Sequence, residues 1–394
     1  MKKPLSTILF FAIVLVGIAV YWKTGNISHD TGESAGSSDK DRVAAISEKE
    51  RATSEFIAHS PGGFIPNTDG YDAIWTLFYA LTIDINYFRT FEYFRQTSTI
   101  FLPEGETPPS IGADIPLPAA VQEYIKVNNI PATAPWHNLD SDVKVSGLDL
   151  KDKWNEPIRF SLRMDDSTLS YVLAEKLYNA DGLLDRGTAI DFPLGALELK
   201  TSWIWIDTKD PQEKLAELQP HYYIAYAYYM DGSGQYQIGQ AALTGFHQVL
   251  KSQPGWLWST FENTHNSEFT QITYELPIPP EVDFVNQKWQ KLLKSKQSVF
   301  ANYQLNGAQV SFVENNEPVL LANSQIESFF QDNSSCKTCH HIAAYKADER
   351  LQFFNIVDST GQGTTYYIGD PPDLSGWTSM DYAWSLKRAQ FVRD

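Results

Sequence analysis

Cys336-Lys337-Thr338-Cys339-His340 reads C-x-x-C-H, and its two cysteines are the only ones in 394 residues. The pattern is that of a c-type haem attachment site. Each thiol adds to one haem vinyl group, and the next residue brings an imidazole under the ring as the proximal iron ligand. One covalently bound haem c is therefore expected, on Cys336, Cys339 and His340. A zinc site needs four ligands in paired Cys/His spacings, and only His341 stands nearby. A thioredoxin-like redox pair follows a β-strand, whereas Ile326–Gln331 reads as helical. A disulfide across two residues would be strained.

The sixth iron position is open in the sequence. Of four methionines (Met1, Met164, Met230, Met380), only Met380 follows the motif, 40 residues after His340. A His/Met pair would give a six-coordinate electron-transfer haem of raised potential. The alternative is that Met380 only opens the last helix and fills the core. His341 cannot easily reach the same iron, because neighbours on a helix point about 100° apart. Without a sixth ligand the haem could bind peroxide or a small gas.

A helix is expected over Ser324–Gln331 and another over Met380–Arg393, walling in the porphyrin. About 75 residues, 319–394, is short for a free unit, so this module should lean on a larger domain. Before it, the chain reads as an antiparallel sheet. Ala196–Ile206 alternates, with Leu197, Leu199, Trp203 and Trp205 on one face and Glu198, Lys200 and Ser202 on the other. His221–Met230, Gln235–Lys251 and Trp256–Glu262 read as further strands, with turns at Asp231–Gly234 and Ser252–Gly255. Pairing 250 with 255 would set His247 opposite Trp258, Gly245 opposite Thr260 and Leu243 opposite Glu262, all on one side.

That side carries the candidate catalytic residues Glu198, Lys200, His247 and Glu262. Glu198 and Lys200 could pair in a pocket, or be a solvated surface pair. His247 near Glu262 could be an acid–base couple, or His247 a hydrogen-bonded core residue. Eleven Trp and twenty Tyr read first as packing, with electron relay or binding of a flat ligand as the alternative. His29, His59 and His137 sit in tether or loop sequence with no visible constellation.

The net charge of −17 argues against nucleic acid and anionic membrane surfaces as partners, and suits solubility or a basic docking partner. Pro4–Trp22 is a 19-residue apolar run, just long enough to span a bilayer. Lys2 and Lys3 before it favour a cytoplasmic N-terminus with the bulk of the chain exported. No A-x-A-like site ends the run, so an uncleaved anchor is expected over 1–22. Residues 23–60 are polar and read as a flexible tether with a helical stretch around Val43–Ile57. Tyr71–Asn86 has helical spacing, and 103–118 is a Pro- and Gly-rich loop. Four regions result: 1–22 membrane anchor or signal segment, 23–60 tether, 61–318 β-rich α+β domain, and 319–394 haem module. The expected class is α+β, with an antiparallel β-rich domain followed by a small all-α cytochrome c-like module. No G-x-G-x-x-G, Walker loop, H-E-x-x-H or G-x-S-x-G occurs, so nucleotide, zinc-protease and serine-hydrolase chemistry lack support.

Five stretches carry a wider likeness. They are Asp191–Lys200 with Trp203, Leu243–His247 with Lys251, Trp256–Glu262, Ser324–His340 and Asp381–Ala389. On these the chain resembles bacterial single-haem c-type cytochromes that pair a large N-terminal β-rich domain with a C-terminal haem module. The likeness covers most of 190–394. Where that family has a His directly after the Thr-Phe-Glu step, this chain has Asn263, with His265 two residues on. The resemblance implies haem and export, to the periplasmic side of an inner membrane, and no particular reaction. Three functions remain: electron transfer with a redox partner protein, a peroxidase- or oxidase-type oxidoreductase with a small-molecule pocket in the large domain, and a haem-based sensor or binding module.

Overall fold

A computed structural model describes residues 37–59, 65–85, 88–139, 150–186, 189–207, 211–252, 255–347, 351–354, 369 and 371–392. The anchor expected over 1–22 lies outside them, as does His29. Among the described residues no helix is long and apolar enough to cross a membrane.

The alternating segments of the sequence build one mixed sheet of eight strands among the described residues. In chain order these are β1 (Arg95–Gln96), β2 (Trp136–Asn138), β3 (Arg159–Met164), β4 (Leu197–Ile206), β5 (Ile224–Met230), β6 (Tyr236–Leu250), β7 (Leu257–Asn263) and β8 (Tyr303–Gln309). The main path runs β8-β7-β6-β4-β3-β1, all antiparallel. On the far half of the long strand β6, β5 pairs antiparallel and carries β2 as a parallel neighbour. Mixed α+β with a large antiparallel sheet is thus the observed class.

Period two then divides the residues of β4, β6 and β7 between two layers. Leu197, Leu199, Trp203, Leu243, Phe246, Leu250 and Phe261 are buried against helices α2 (Thr68–Thr82) and α4 (Pro280–Ser295), with Trp75, Phe78, Val285 and Trp289 as the main helical contributions. The opposite face presents Glu198, Lys200, His247, Trp258, Thr260 and Glu262. The β6–β7 register is two residues away from the expected one: His247 faces Thr260, Gly245 faces Glu262, and Val249 faces Trp258. A shift of two keeps every side chain on its face, so the grouping survives while the partners change.

Of the expected tether, 23–36 and 60 lie outside the described residues, and the helical stretch expected around Val43–Ile57 is seen as the longer helix α1 (Ser37–His59). Ala45, Lys49, Ala52 and Phe56 form its buried stripe, at the i, i+4, i+7, i+11 spacing of one helical face. A lysine within that stripe hides its apolar character. Lys49 is accommodated because its ammonium meets the buried Asp165 carboxylate at 2.5 Å. Asp165 in turn caps helix α3 (Asp166–Ala174), accepting from Thr168 N at 2.9 Å.

The C-terminal segment departs most from expectation. Neither Ser324–Gln331 nor the described part of the expected Met380–Arg393 helix, 380–392, is an α-helix, and an all-α module is not what the described residues form. They contain one short helix, α5 (Cys336–His341), and three strands, β9 (Ala344–Ala347), β10 (Leu351–Phe353) and β11 (Thr378–Ser379), ordered β10-β9-β11. Over 323–331 the chain turns locally, with Asn323 Oδ1 accepting from Gln325 N and Glu327 Oε2 accepting from Asn323 N, and a 3-10 turn at Gln331–Asn333 follows. At the last segment, Asp381 (φ 49°) and Tyr382 (φ 68°) are left-handed, which ends any α-helix there. Only a 3-10 turn, Trp384–Arg388, follows. The whole of Asp41–Asp394 is one compact unit, and residues 321–345 and 380–386 share an apolar cluster with Trp256 and Trp258.

Candidate haem site

The attachment motif is fastened to the sheet through polar side chains. Ser335 caps α5, its Oγ accepting from Thr338 N at 3.3 Å. Gln309, on β8, donates to Ser335 Oγ at 2.7 Å and accepts from Lys337 N at 3.0 Å. The far side of α5 is held by Trp384, whose indole N–H donates to the Cys339 carbonyl at 2.9 Å. Both cysteines are free thiols. Burial pushes the Cys339 thiol up to about 12 and Cys336 well above its ordinary value, so both stay protonated.

His340 is arranged as a ligand. Its Nδ1–H donates to the Tyr382 carbonyl at 2.8 Å. A carbonyl can only accept, so the proton sits on Nδ1 and Nε2 carries the lone pair. Burial holds the imidazole down to about 4, which keeps it neutral. Among the described residues, no hydrogen bond reaches Nε2. Nearby, the buried Trp258 Nε1 makes no hydrogen bond among the described residues, and His247 Nε2 makes none either, with the Glu327 carboxylate 3.5 Å away. Trp258 lies 5.9 Å from the His340 ring, centre to centre. Two free thiols, a tautomer-fixed imidazole and orphaned polar atoms around it fit haem c.

Met380 has a core setting. It is fully buried, its N–H donates to the Ala343 carbonyl at 2.8 Å, and its side chain shares a cluster with Cys336, Ala343 and Tyr345. His341 faces Phe312 and Tyr382.

The sheet face under the motif holds all four candidate catalytic residues, yet it does not pair them as expected. Lys200 and His247 are direct cross-strand neighbours. Glu198 accepts from Ser385 Oγ at 2.8 Å rather than pairing with Lys200, and burial raises its carboxyl to about 7. Glu262 is no base for His247. Ser324, Asn306 and Asn266 all donate to its carboxylate, which burial still raises. His247 meets Glu327 at 3.5 Å. Burial lowers His247 well below its ordinary value and raises Glu327 to about 7. Lys200 is lowered by burial, opposed by Glu327 and by both cysteines. Glu327, His247 and Lys200 thus form a compact set beside Cys336 and Cys339.

Close packing of this face depends on Gly245. A Cβ there would stand 2.6 Å from Ser202 Oγ and 2.9 Å from Asn323 Oδ1. Its absence lets Asn323 donate to Thr260 Oγ1 at 2.8 Å and hold Glu327 in place.

Several residues escaped the sequence reading. Glu327 lay in a stretch read as helix. Lys251 and Asp381 were visible only within the family likeness. His137 looked like a loop residue but is fully buried against Glu92 and Arg163. Among the described residues, no group of three or more His, Cys, Asp or Glu side chains could hold a bare metal ion. Comparison with known proteins finds no matching family model, no matching curated protein and no matching solved structure.

Proposed function

We propose that this chain is an exported c-type cytochrome, anchored in the inner membrane through residues 1–22, with its globular part in the periplasm. It carries one haem c and exchanges electrons with a redox partner protein. The family likeness to single-haem cytochromes with a large β-rich domain belongs to the same proposal, with 319–394 as the haem-carrying segment. One observation carries the reading: the His340 Nδ1–H···O=C bond to Tyr382, which leaves Nε2 as a lone-pair donor on the residue directly after Cys339 and four after Cys336. Cys336 and Cys339 would hold the haem and His340 its iron. The bound group supplies one-electron chemistry. The chain's own part is to fix the imidazole, bury the ring against Trp258, and present an acidic surface to a basic partner. The test is the purified protein, expressed with c-type haem maturation: haem should stay with the chain through denaturation and give reversible ferric and ferrous spectra. A chain that purifies without covalent haem would sink the reading.

A second reading is favoured by the Glu327–His247–Lys200 set. Buried titratable groups at a cofactor are the mark of sites that bind or turn over a ligand. On this reading the chain is a haem oxidoreductase of peroxidase or oxidase type, and His247 with Glu327 moves a proton at the small-molecule pocket. It expects a high-spin spectrum that shifts on adding peroxide or carbon monoxide. A low-spin spectrum unchanged by either would leave electron transfer alone standing.

A further inference from the structure

We propose that Lys251 and Asp381 are positioning residues for the proximal imidazole: their ion pair pins the turn that delivers the Tyr382 carbonyl to His340. This rests on the haem reading above and goes beyond it.

The turn is unfavourable by itself. Asp381 and Tyr382 are consecutive left-handed residues, at φ 49° and 68°, and neither is glycine. Such conformations crowd the Cβ of an L-residue against its own backbone and persist only where surroundings impose them. The surroundings here are specific. Lys251 Nζ donates to both Asp381 oxygens, at 2.8 and 2.6 Å. Phe192 N donates to Asp381 Oδ2 at 2.8 Å. Asp381 N donates to Ser379 Oγ at 3.1 Å.

Lys251 is itself immobilised. It follows the last residue of β6, it is 2% exposed, and its backbone is paired on both sides, to Gly195 N and to the Ala196 carbonyl. Its ammonium also reaches Asp191 at 3.0 Å. A rigid path therefore runs from the central sheet through Lys251 and Asp381 to the Tyr382 carbonyl, and from there to Nδ1 of His340. A buried ion pair is poor stabilisation, since an apolar replacement is often neutral or better. Its effect here is placement: it fixes the acceptor that sets the ligand's tautomer and tilt.

A hydrogen bond from Nδ1–H raises the basicity of Nε2, which favours Fe(III) over Fe(II). Loosening the turn weakens that bond, so the reduction midpoint should rise. In the full-length holoprotein, Lys251→Met is expected to keep its covalent haem but raise the midpoint. The expected size is about a tenfold tilt of the Fe(II)/Fe(III) equilibrium, ~59 mV for a one-electron couple. Lys251→Arg, which can still grip the carboxylate, should recover most of the shift. If Lys251→Met fails to fold, the double variant Lys251→Met/Asp381→Asn leaves no lone buried charge and carries the same expectation. Haem attached with an unmoved midpoint in whichever of these variants folds overturns this proposal and leaves the haem reading intact. A wild-type chain without covalent haem overturns both.

Discussion

Replacing both Cys336 and Cys339 with serine is expected to remove covalent haem completely, from one per chain to none. A thioether forms when a thiol adds across a vinyl group, and a serine hydroxyl does not do so under the same conditions. The measurement is acid–acetone extraction followed by the pyridine haemochrome spectrum: wild-type haem stays with the protein, and the variant's haem passes to the solvent. The single variants should each keep one thioether, with a haemochrome band shifted towards that of a vinyl-bearing haem. His340→Ala separates attachment from ligation. It should retain both thioethers and lose the proximal ligand, giving a changed ferric spectrum at unchanged haem content. The fold should outlast all of these changes. The layer built by Trp75, Phe78, Phe246, Phe261 and Trp289 lies on the other side of the sheet from the motif. Far-UV circular dichroism should therefore be close to wild type. Covalent haem in the double-serine variant would refute the assignment of the attachment site.

How far the sequence could lead depends on the range of the forces involved. Strand alternation is local, so Leu197 and Leu199 against Glu198 and Lys200 could be divided between faces from spacing alone. The His247 grouping survived a wrong register because the error was two residues, not one. The C-x-x-C-H pattern stands out in the sequence because its spacing is contained within five residues. What escaped was everything decided at long range. Lys49 makes sense in a buried stripe only once Asp165, 116 positions away, is opposite it. Glu327 displaced Glu262 as the neighbour of His247 because Ser324, Asn306 and Asn266 occupy Glu262, and no pattern in the sequence foretells that competition. The last segment reads as helix by composition, but Lys251 holds Asp381 left-handed from 130 residues away.

His137 is the extreme case, and its network carries the largest expected stability effect. It was set aside as a loop histidine, yet it is fully buried on β2. Its Nε2 meets Glu92 Oε1 at 2.8 Å, and Arg163 Nη2 meets its Nδ1 at 3.2 Å. Only one protonation state satisfies both contacts. A carboxylate accepts and a guanidinium donates, so Nε2 bears the proton and Nδ1 the lone pair, with the ring neutral. Burial, reinforced by Arg163, lowers His137, in agreement. Glu92 is then the anion of the group. It also accepts from Tyr223 Oη at 2.7 Å and from Arg89 N at 2.7 Å. These bonds outweigh burial and leave its carboxyl below the ordinary value. Glu92→Ala would remove the anion and strand Arg163, which burial holds down to about 10 and which is still charged at neutral pH. The expected loss is about 3–5 kcal/mol. Glu92→Gln keeps the shape and part of the bonding, and should lose about 1.5–3 kcal/mol. Urea unfolding at neutral pH measures both; equal losses would show that the charge, which both variants remove, matters rather than the shape that only glutamine keeps, and no loss in Glu92→Gln would show the reverse. The pH dependence has a definite sign. Both groups bind protons less readily folded than unfolded, so stability must fall with acid. The His137 contribution is full above its unfolded value near 6.5 and is lost as pH drops below it. The Glu92 contribution starts to fall lower, below about 4.5. His137→Gln should therefore flatten the stability curve between about pH 5 and 6.5 while leaving the slope below 4.5. An unflattened slope in that window would mean that His137 is charged in the folded protein, and the neutral tautomer between Glu92 and Arg163 would have to be abandoned.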